Sequence, residues 1–150
     1  MKYEIIKEDF KITWFGVKVF RIRYIKTKEL GGYIEKESNL SQEGNAKVSG
    51  NAEVWGNAEV SGNAEVWGDA KVSGNAEVWG DDYIAISPIG SRRASVTFTK
   101  DKNGNLFVTT GCFSGSIEEF EKAVKKEHGD NEHGKNYQLA IALAKAKLKK

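Results

Sequence analysis

The chain repeats one six-residue word. From Gly44 it reads GNAKVS, GNAEVW, GNAEVS, GNAEVW, GDAKVS and GNAEVW, and a degenerate seventh hexad, GDDYIA, follows at Gly80. A short fixed period restricts a chain to repetitive architectures in which each unit contacts its neighbours. Within each hexad Ala and Val alternate with Glu or Lys and with Trp or Ser. That period of two predicts a short strand with Ala and Val on one face and polar or aromatic side chains on the other. Gly with Asn or Asp supplies the corner, because these residues tolerate positive φ. One such strand cannot bury its valine alone, whereas stacked coils bury all of them.

The charges choose the coil length. With 18 residues per coil Lys47 lies over Glu65, Glu53 over Lys71 and Glu59 over Glu77, so two of three outward pairs are complementary. With 12 residues per coil Glu53, Glu65 and Glu77 form one acidic column at about 4.8 Å spacing, and like charges directly opposite are destabilising. A 12-residue coil would gain a ladder of Trp55, Trp67 and Trp79 but has little interior. The 18-residue coil is preferred, with Val48, Val54, Val60, Val66, Val72 and Val78 inside and Glu53, Glu59 and Glu65 outside.

The repeated V-x-G-N-A-x resembles the hexapeptide-repeat, left-handed parallel β-helix superfamily, which includes acyltransferases and γ-type carbonic anhydrases and whose members are usually homotrimers. The flanks narrow the likeness. "VFRIRYIKTKELGGYIEKESNLSQEGNAKV" (Val19 to Val48) and "DDYIAISPIGSRRASVTFTKDKNGNLFVTTGCFSGSIEEFEKAVKKEHGDNEHGKNY" (Asp81 to Tyr137) resemble the leader and the C-terminal module of a group of phage and prophage proteins. The resemblance implies a mainly β fold: a left-handed parallel β-helix with 18-residue coils, an N-terminal β cap and a C-terminal α+β module, assembled as a homotrimer.

Three segments are expected. Residues 1–31 form the N-terminal β cap, in which "YEIIKEDFKI" and "WFGVKVFRIRYI" are strands and Phe20 and Ile22 face a core. Residues 32–85 hold the hexads, with Ile34 and Leu40 pointing inward and Lys36 and Gln42 breaking the apolar pattern of the first coil. Residues 86–150 contain a β-hairpin around Asn103-Gly104 and two helices. The first helix carries a Ser116/Glu119 capping box and a C-cap at Gly129. The second places Tyr137, Ile141 and Leu148 near one stripe, with Leu139 and Leu143 beside it. It needs a partner surface, from the end of the hexads or from a neighbouring subunit. The basic end "KAKLKK" reads as a solubilising terminus that complements the helix dipole.

A net charge of +2 leaves no bulk basic field for long nucleic acid. No apolar run is long enough to span a membrane, and no signal peptide opens the chain. Cys112 is the only cysteine, which suits a reducing compartment, here the cytoplasm of a bacterial host. Hexapeptide-type acyltransferases use a histidine base beside the coils, and the coils here hold none. A zinc site of the carbonic anhydrase type needs three histidines, and the chain has two, His128 and His133. No cofactor and no metal are expected. Cys112 with His128 would make a thiol nucleophile, but Cys112 ends "VTTGC" and is read as a small packed residue.

Two polar clusters remain. Arg92 and Arg93 follow Gly90 and Ser91 in "PIGSRRAS", where turn amides and guanidinium groups suit a phosphate or carboxylate. "HGDNEHGKNY" offers His128, His133, Lys135 and Tyr137 near a helix start, whose positive end favours an anion. The outward Trp55, Trp67 and Trp79 serve subunit contact or stacking. The reading favoured is a non-enzymatic homotrimer that sequesters a small anionic ligand, a host nucleotide immune signal, at subunit interfaces. The alternatives are a structural or adaptor protein and, behind it, an enzyme of the acyltransferase or carbonic-anhydrase type.

Overall fold

The computed structural model describes residues 1–148; the last two lysines of "KAKLKK" lie outside the described residues. The chain opens with β1 (Tyr3–Ile12), β2 (Lys18–Tyr24) and β3 (Leu30–Ile34). β1 pairs antiparallel with β2, and β2 with β3. The hexads then give six two-residue strands: β4 (Lys47–Val48), β5 (Glu53–Val54), β6 (Glu59–Val60), β7 (Glu65–Val66), β8 (Lys71–Val72) and β9 (Glu77–Val78). Their pairing is parallel: Lys47 with Glu65, Glu53 with Lys71, and Glu59 with Glu77. The six valines and the alanines two residues before them are buried together. Gly50, at φ +66°, shows why glycine opens each hexad: the corner lies in the left-handed region.

The expected left-handed parallel β-helix is corrected by this arrangement. Among the described residues the strands form several separate small sheets, not a single regular parallel solenoid. One is mixed and five-stranded, in the order β1-β2-β3-β5-β8; two are parallel pairs, β4-β7 and β6-β9. The fourth is antiparallel, in the order β10-β11-β12-β13, from β10 (Ile84–Ile89), β11 (Ala94–Lys100), β12 (Leu106–Thr110) and β13 (Ser114–Ser116). The physical reasons are local. Each hexad spends only two residues in extended pairing and the rest in its corner. The first turn of chain is also longer than the rest: Ile34 pairs with Val54 and Leu40 with Val60, whereas later partners are closer in sequence, Val48 with Val66. The extra length accommodates a 3₁₀ turn at Glu37–Asn39. Asn39 is buried there, accepting from the amides of Glu35 and Lys36 and donating to the carbonyls of Gly56 and Ala58. Gln42, which breaks the apolar pattern, binds the backbone of Lys2 and Tyr3 and fastens β1 to the hexads.

The N-terminal hairpin covers one face of the hexads. Val19, rather than Phe20, is fully buried, against Tyr33 and Trp55, while Ile22 joins the valine core. Trp55 is only 6% exposed, with Phe15 against it at 6.1 Å. Glu53 beside it is also buried and pairs with Lys11 at 2.9 Å. The outward placement read for Trp55 and Glu53 is therefore corrected: both leave the valine face but are covered by the chain's own hairpin.

The C-terminal sheet closes the other side with its polar face. Thr97 Oγ1 accepts the Lys71 amide at 2.8 Å, and Ser73 Oγ meets Thr109 Oγ1 at 2.9 Å. Thr97 thereby satisfies a backbone amide that the last hexads leave open. Val96 and Phe98, on the opposite face, pack with α1 (Ile117–His128) and α2 (Glu132–Leu148). Ser116 caps α1, its Oγ accepting from the Glu119 amide while the Glu119 carboxylate accepts from the Ser116 amide. α2 buries Ala140, Ile141, Ala144 and Leu148 within this module and leaves Leu139 and Leu143 exposed.

Burial pushes the phenols of Tyr3, Tyr24, Tyr83 and Tyr137 above their ordinary range. Lys2, held below its ordinary range by burial and by Lys47, works in the opposite sense. A tyrosine that keeps its proton longer when folded adds stability that is intact below the unfolded value, about 10, and is lost as pH rises above it. The melting temperature should therefore fall steeply above about pH 10. Absorbance at the phenolate band should rise together with unfolding rather than before it. Titration of most tyrosines in the intact fold would contradict this.

Candidate functional site

The site begins at the turn joining β10 to β11. Arg93 closes it by donating its amide to the Gly90 carbonyl at 3.1 Å, with φ +50°. Gly90 is required twice over. Its φ is +79°, and a Cβ there would stand 2.8 Å from Tyr137 Cζ and closer still to the hydroxyl. Tyr137, from the start of α2, thus wedges against the turn backbone. Phe120 of α1 holds it from behind, edge to face at 5.4 Å. The His128 ring stacks on Tyr137 at 5.7 Å, and His133 meets His128 edge-on at 5.5 Å.

Two clefts open around this stack. The first, about 290 Å³, takes Ser91 and Arg92 from the turn and His128 and Tyr137 from the helices. Trp14, from the β1-β2 hairpin, lines it as well, and the Arg92 guanidinium lies over the Trp14 ring at 6.0 Å. Such a cation–π contact holds the charge at the rim without neutralising it. Ser95, 6% exposed, lines the same cleft, and its Oγ is buried with no hydrogen-bond partner among the described residues. A buried hydroxyl left unmatched costs about 1–3 kcal/mol, which an incoming polar atom would recover. Glu127 at the edge is the one carboxylate of this cleft. Burial pushes the Tyr137 phenol up, Cys112 and Glu127 push the same way, and Arg92 opposes them.

The second cleft, about 470 Å³, takes Arg93 and His133, with Glu132 and Asn136. Its floor is apolar: Ile86, Pro88, Leu139 and Leu143. The structure therefore divides the residues singled out in the sequence. Ser91, Arg92, His128 and Tyr137 come together; Arg93 and His133 fall in the neighbouring cleft; Lys135 lines neither. The start of α2 already spends one amide internally, since Gly134 donates to Asn131 Oδ1 at 2.9 Å. Among the described residues no group of three or more His, Cys, Asp or Glu is placed to hold a metal.

Cys112 departs from its reading as a packed residue. It is exposed and lines the first cleft with His128. Thr110 Oγ1 accepts the amides of both Cys112 and Phe113, and that turn sends Phe113 toward the apolar core instead. Trp14 and Ser95 are the functional candidates that sequence reasoning missed. The alternation of Ser95, Thr97 and Thr99 against Val96 and Phe98 is the one signal that would have found Ser95; nothing in the sequence links Trp14 to Arg92. Trp67 and Trp79 remain exposed.

Comparison with protein-family models, with curated proteins and with solved structures finds no match. No helix among the described residues is long and apolar enough to cross a membrane. In the first cleft a guanidinium, a serine hydroxyl, an imidazole and a phenol converge on a small volume. They can donate to a phosphate or carboxylate from several directions, and charge-assisted hydrogen bonds of this kind are roughly twice as strong as neutral ones.

Proposed function

We propose that the protein binds and sequesters a small anionic ligand without turning it over, and that it does so as a homotrimer of phage type in the host bacterial cytoplasm. The ligand class we favour is a host nucleotide immune signal. The observation that carries the reading is the convergence of Arg92, His128, Tyr137 and the partnerless Ser95 Oγ on one cleft. Arg92 anchors the anion, Ser95 orients it and Tyr137 walls it. The second cleft, with Arg93 over exposed Leu139 and Leu143, is the surface we expect a neighbouring subunit to cover.

Calorimetric titration with cyclic di- and trinucleotides and ADP-ribose-type compounds tests the binding. Arg92→Ala should weaken it by roughly ten- to a hundredfold, the equivalent of one charge-assisted hydrogen bond. Its melting temperature should stay close to wild type, because the side chain is exposed. Chromatography of the recovered ligand should return it intact. Turnover that disappears in Cys112→Ser would replace sequestration with thiol catalysis at the same cleft.

Assembly is tested separately. Light scattering should give about three times the 16.6 kDa chain mass. The support is the exposed Trp79, together with Leu139 and Leu143, which a solitary chain would leave in water. A monomer at micromolar concentration would remove the trimer from the proposal.

A further inference from the structure

We propose that the cleft around Trp67 holds the base of the nucleotide whose phosphate sits at Arg92, and that guanine is the base it fits; this rests on the anion-binding reading above. The Trp67 cleft, about 820 Å³, lies between the hexads and the C-terminal sheet. Ser95 lines it and also lines the Arg92 cleft, so the two clefts adjoin at this residue, whose buried Oγ has no hydrogen-bond partner among the described residues.

Each cleft has its own chemistry. At the far end Trp67 is 68% exposed, which leaves its ring accessible to a flat partner. Base–aromatic stacking needs such access. Tyr83 braces this wall from below, donating its hydroxyl to the Glu65 carbonyl at 2.8 Å. The charged side chains lining this cleft are three carboxylates, Glu65, Asp69 and Asp81, and one cation, Lys147. An ionised carboxylate only accepts hydrogen bonds, through two oxygens. It therefore selects an edge with adjacent N–H donors, and among the common bases guanine presents two side by side. Three carboxylates against the single Lys147 leave this cleft net negative, which disfavours phosphate there. The contrast in charge between the two clefts thus orients the ligand, with its base at Trp67, its sugar passing Ser95 and its phosphate at Arg92.

Titration with GMP, IMP and ribose 5-phosphate tests this in wild type, Trp67→Ala, Asp69→Asn and Arg92→Ala. Trp67 and Asp69 are exposed, so both variants should fold as wild type does. GMP should bind about ten- to a hundredfold tighter than ribose 5-phosphate, the contribution of one stacked base. IMP, which lacks the exocyclic amine, should bind about tenfold more weakly than GMP, and Asp69→Asn should narrow that gap. Trp67→Ala should bring GMP down to the level of ribose 5-phosphate and leave the latter unchanged. If GMP and ribose 5-phosphate bind alike, or Trp67→Ala leaves GMP untouched, the base site is overturned; loss of both ligands in Arg92→Ala would then leave the anion site standing. If none of the three ligands binds, both readings are overturned.

Discussion

Val60→Asp should leave no soluble folded protein. Val60 is 1% exposed and sits in the middle of the hexad core, paired with Val78 on one side and bridged to Leu40 on the other. Asn39, a buried polar side chain beside that core, has both its amide oxygen and its amide nitrogen hydrogen-bonded. A carboxylate placed at position 60 loses its water and gains no partner, and a buried unpaired charge costs several kcal/mol even after relaxation. That is a large share of the roughly 5–15 kcal/mol by which a domain is stable. Val60→Ala separates charge from packing. It removes two methyl groups and should cost only about 2 kcal/mol, lowering the urea midpoint while leaving a cooperative transition. Wild-type-like melting of Val60→Asp would mean that the hexads do not share one interior.

How far the sequence reaches can be seen at single residues. The alternation inside each hexad places the six valines inward, and the charge argument names the partners that do pair: Lys47 with Glu65, Glu53 with Lys71, Glu59 with Glu77. The capping box at Ser116 and Glu119 was equally readable, because both parts lie within one turn. What failed was the extrapolation from repeat to architecture. A period describes the repeat and says nothing of what docks on it. The N-terminal hairpin joins β3, β5 and β8 into a mixed sheet and covers Trp55 and Glu53, so the hexads end as parts of several sheets. The site shows the same limit. Arg92, His128 and Tyr137 stood out as residue types suited to anions, and Tyr137 reaches Arg92 through helices the sequence announced. Trp14 and Ser95 enter through contacts between distant segments, which no local pattern encodes. At Cys112 a strand end and a turn look alike in sequence, and two hydrogen bonds to Thr110 Oγ1 decide between them.

Gly90→Ala should disable fold and site together. At φ +79° an L-residue pays roughly 1–2 kcal/mol for its backbone alone. The added methyl would also stand 2.8 Å from Tyr137 Cζ, inside contact distance, so the phenol ring has to leave. Tyr137 cannot move alone. Phe120 packs on its edge and His128 on its face, and both rings belong to the C-terminal module's helices. The expected cost is about 3 kcal/mol or more, the backbone strain plus the repacking of a filled core. Anion binding should fall well beyond the loss seen in Arg92→Ala, since the wall and the imidazole move with the ring. A double-mutant cycle identifies the cause. If the clash with Tyr137 carries most of the damage, Tyr137→Ala added to Gly90→Ala should cost less than the sum of the two single changes, by an interaction energy of about 0.5–3 kcal/mol. Binding should stay lost in the double variant, because the wall of the cleft is gone. Strict additivity in urea unfolding would show that the glycine is needed for its φ alone and that Tyr137 is not what closes the turn.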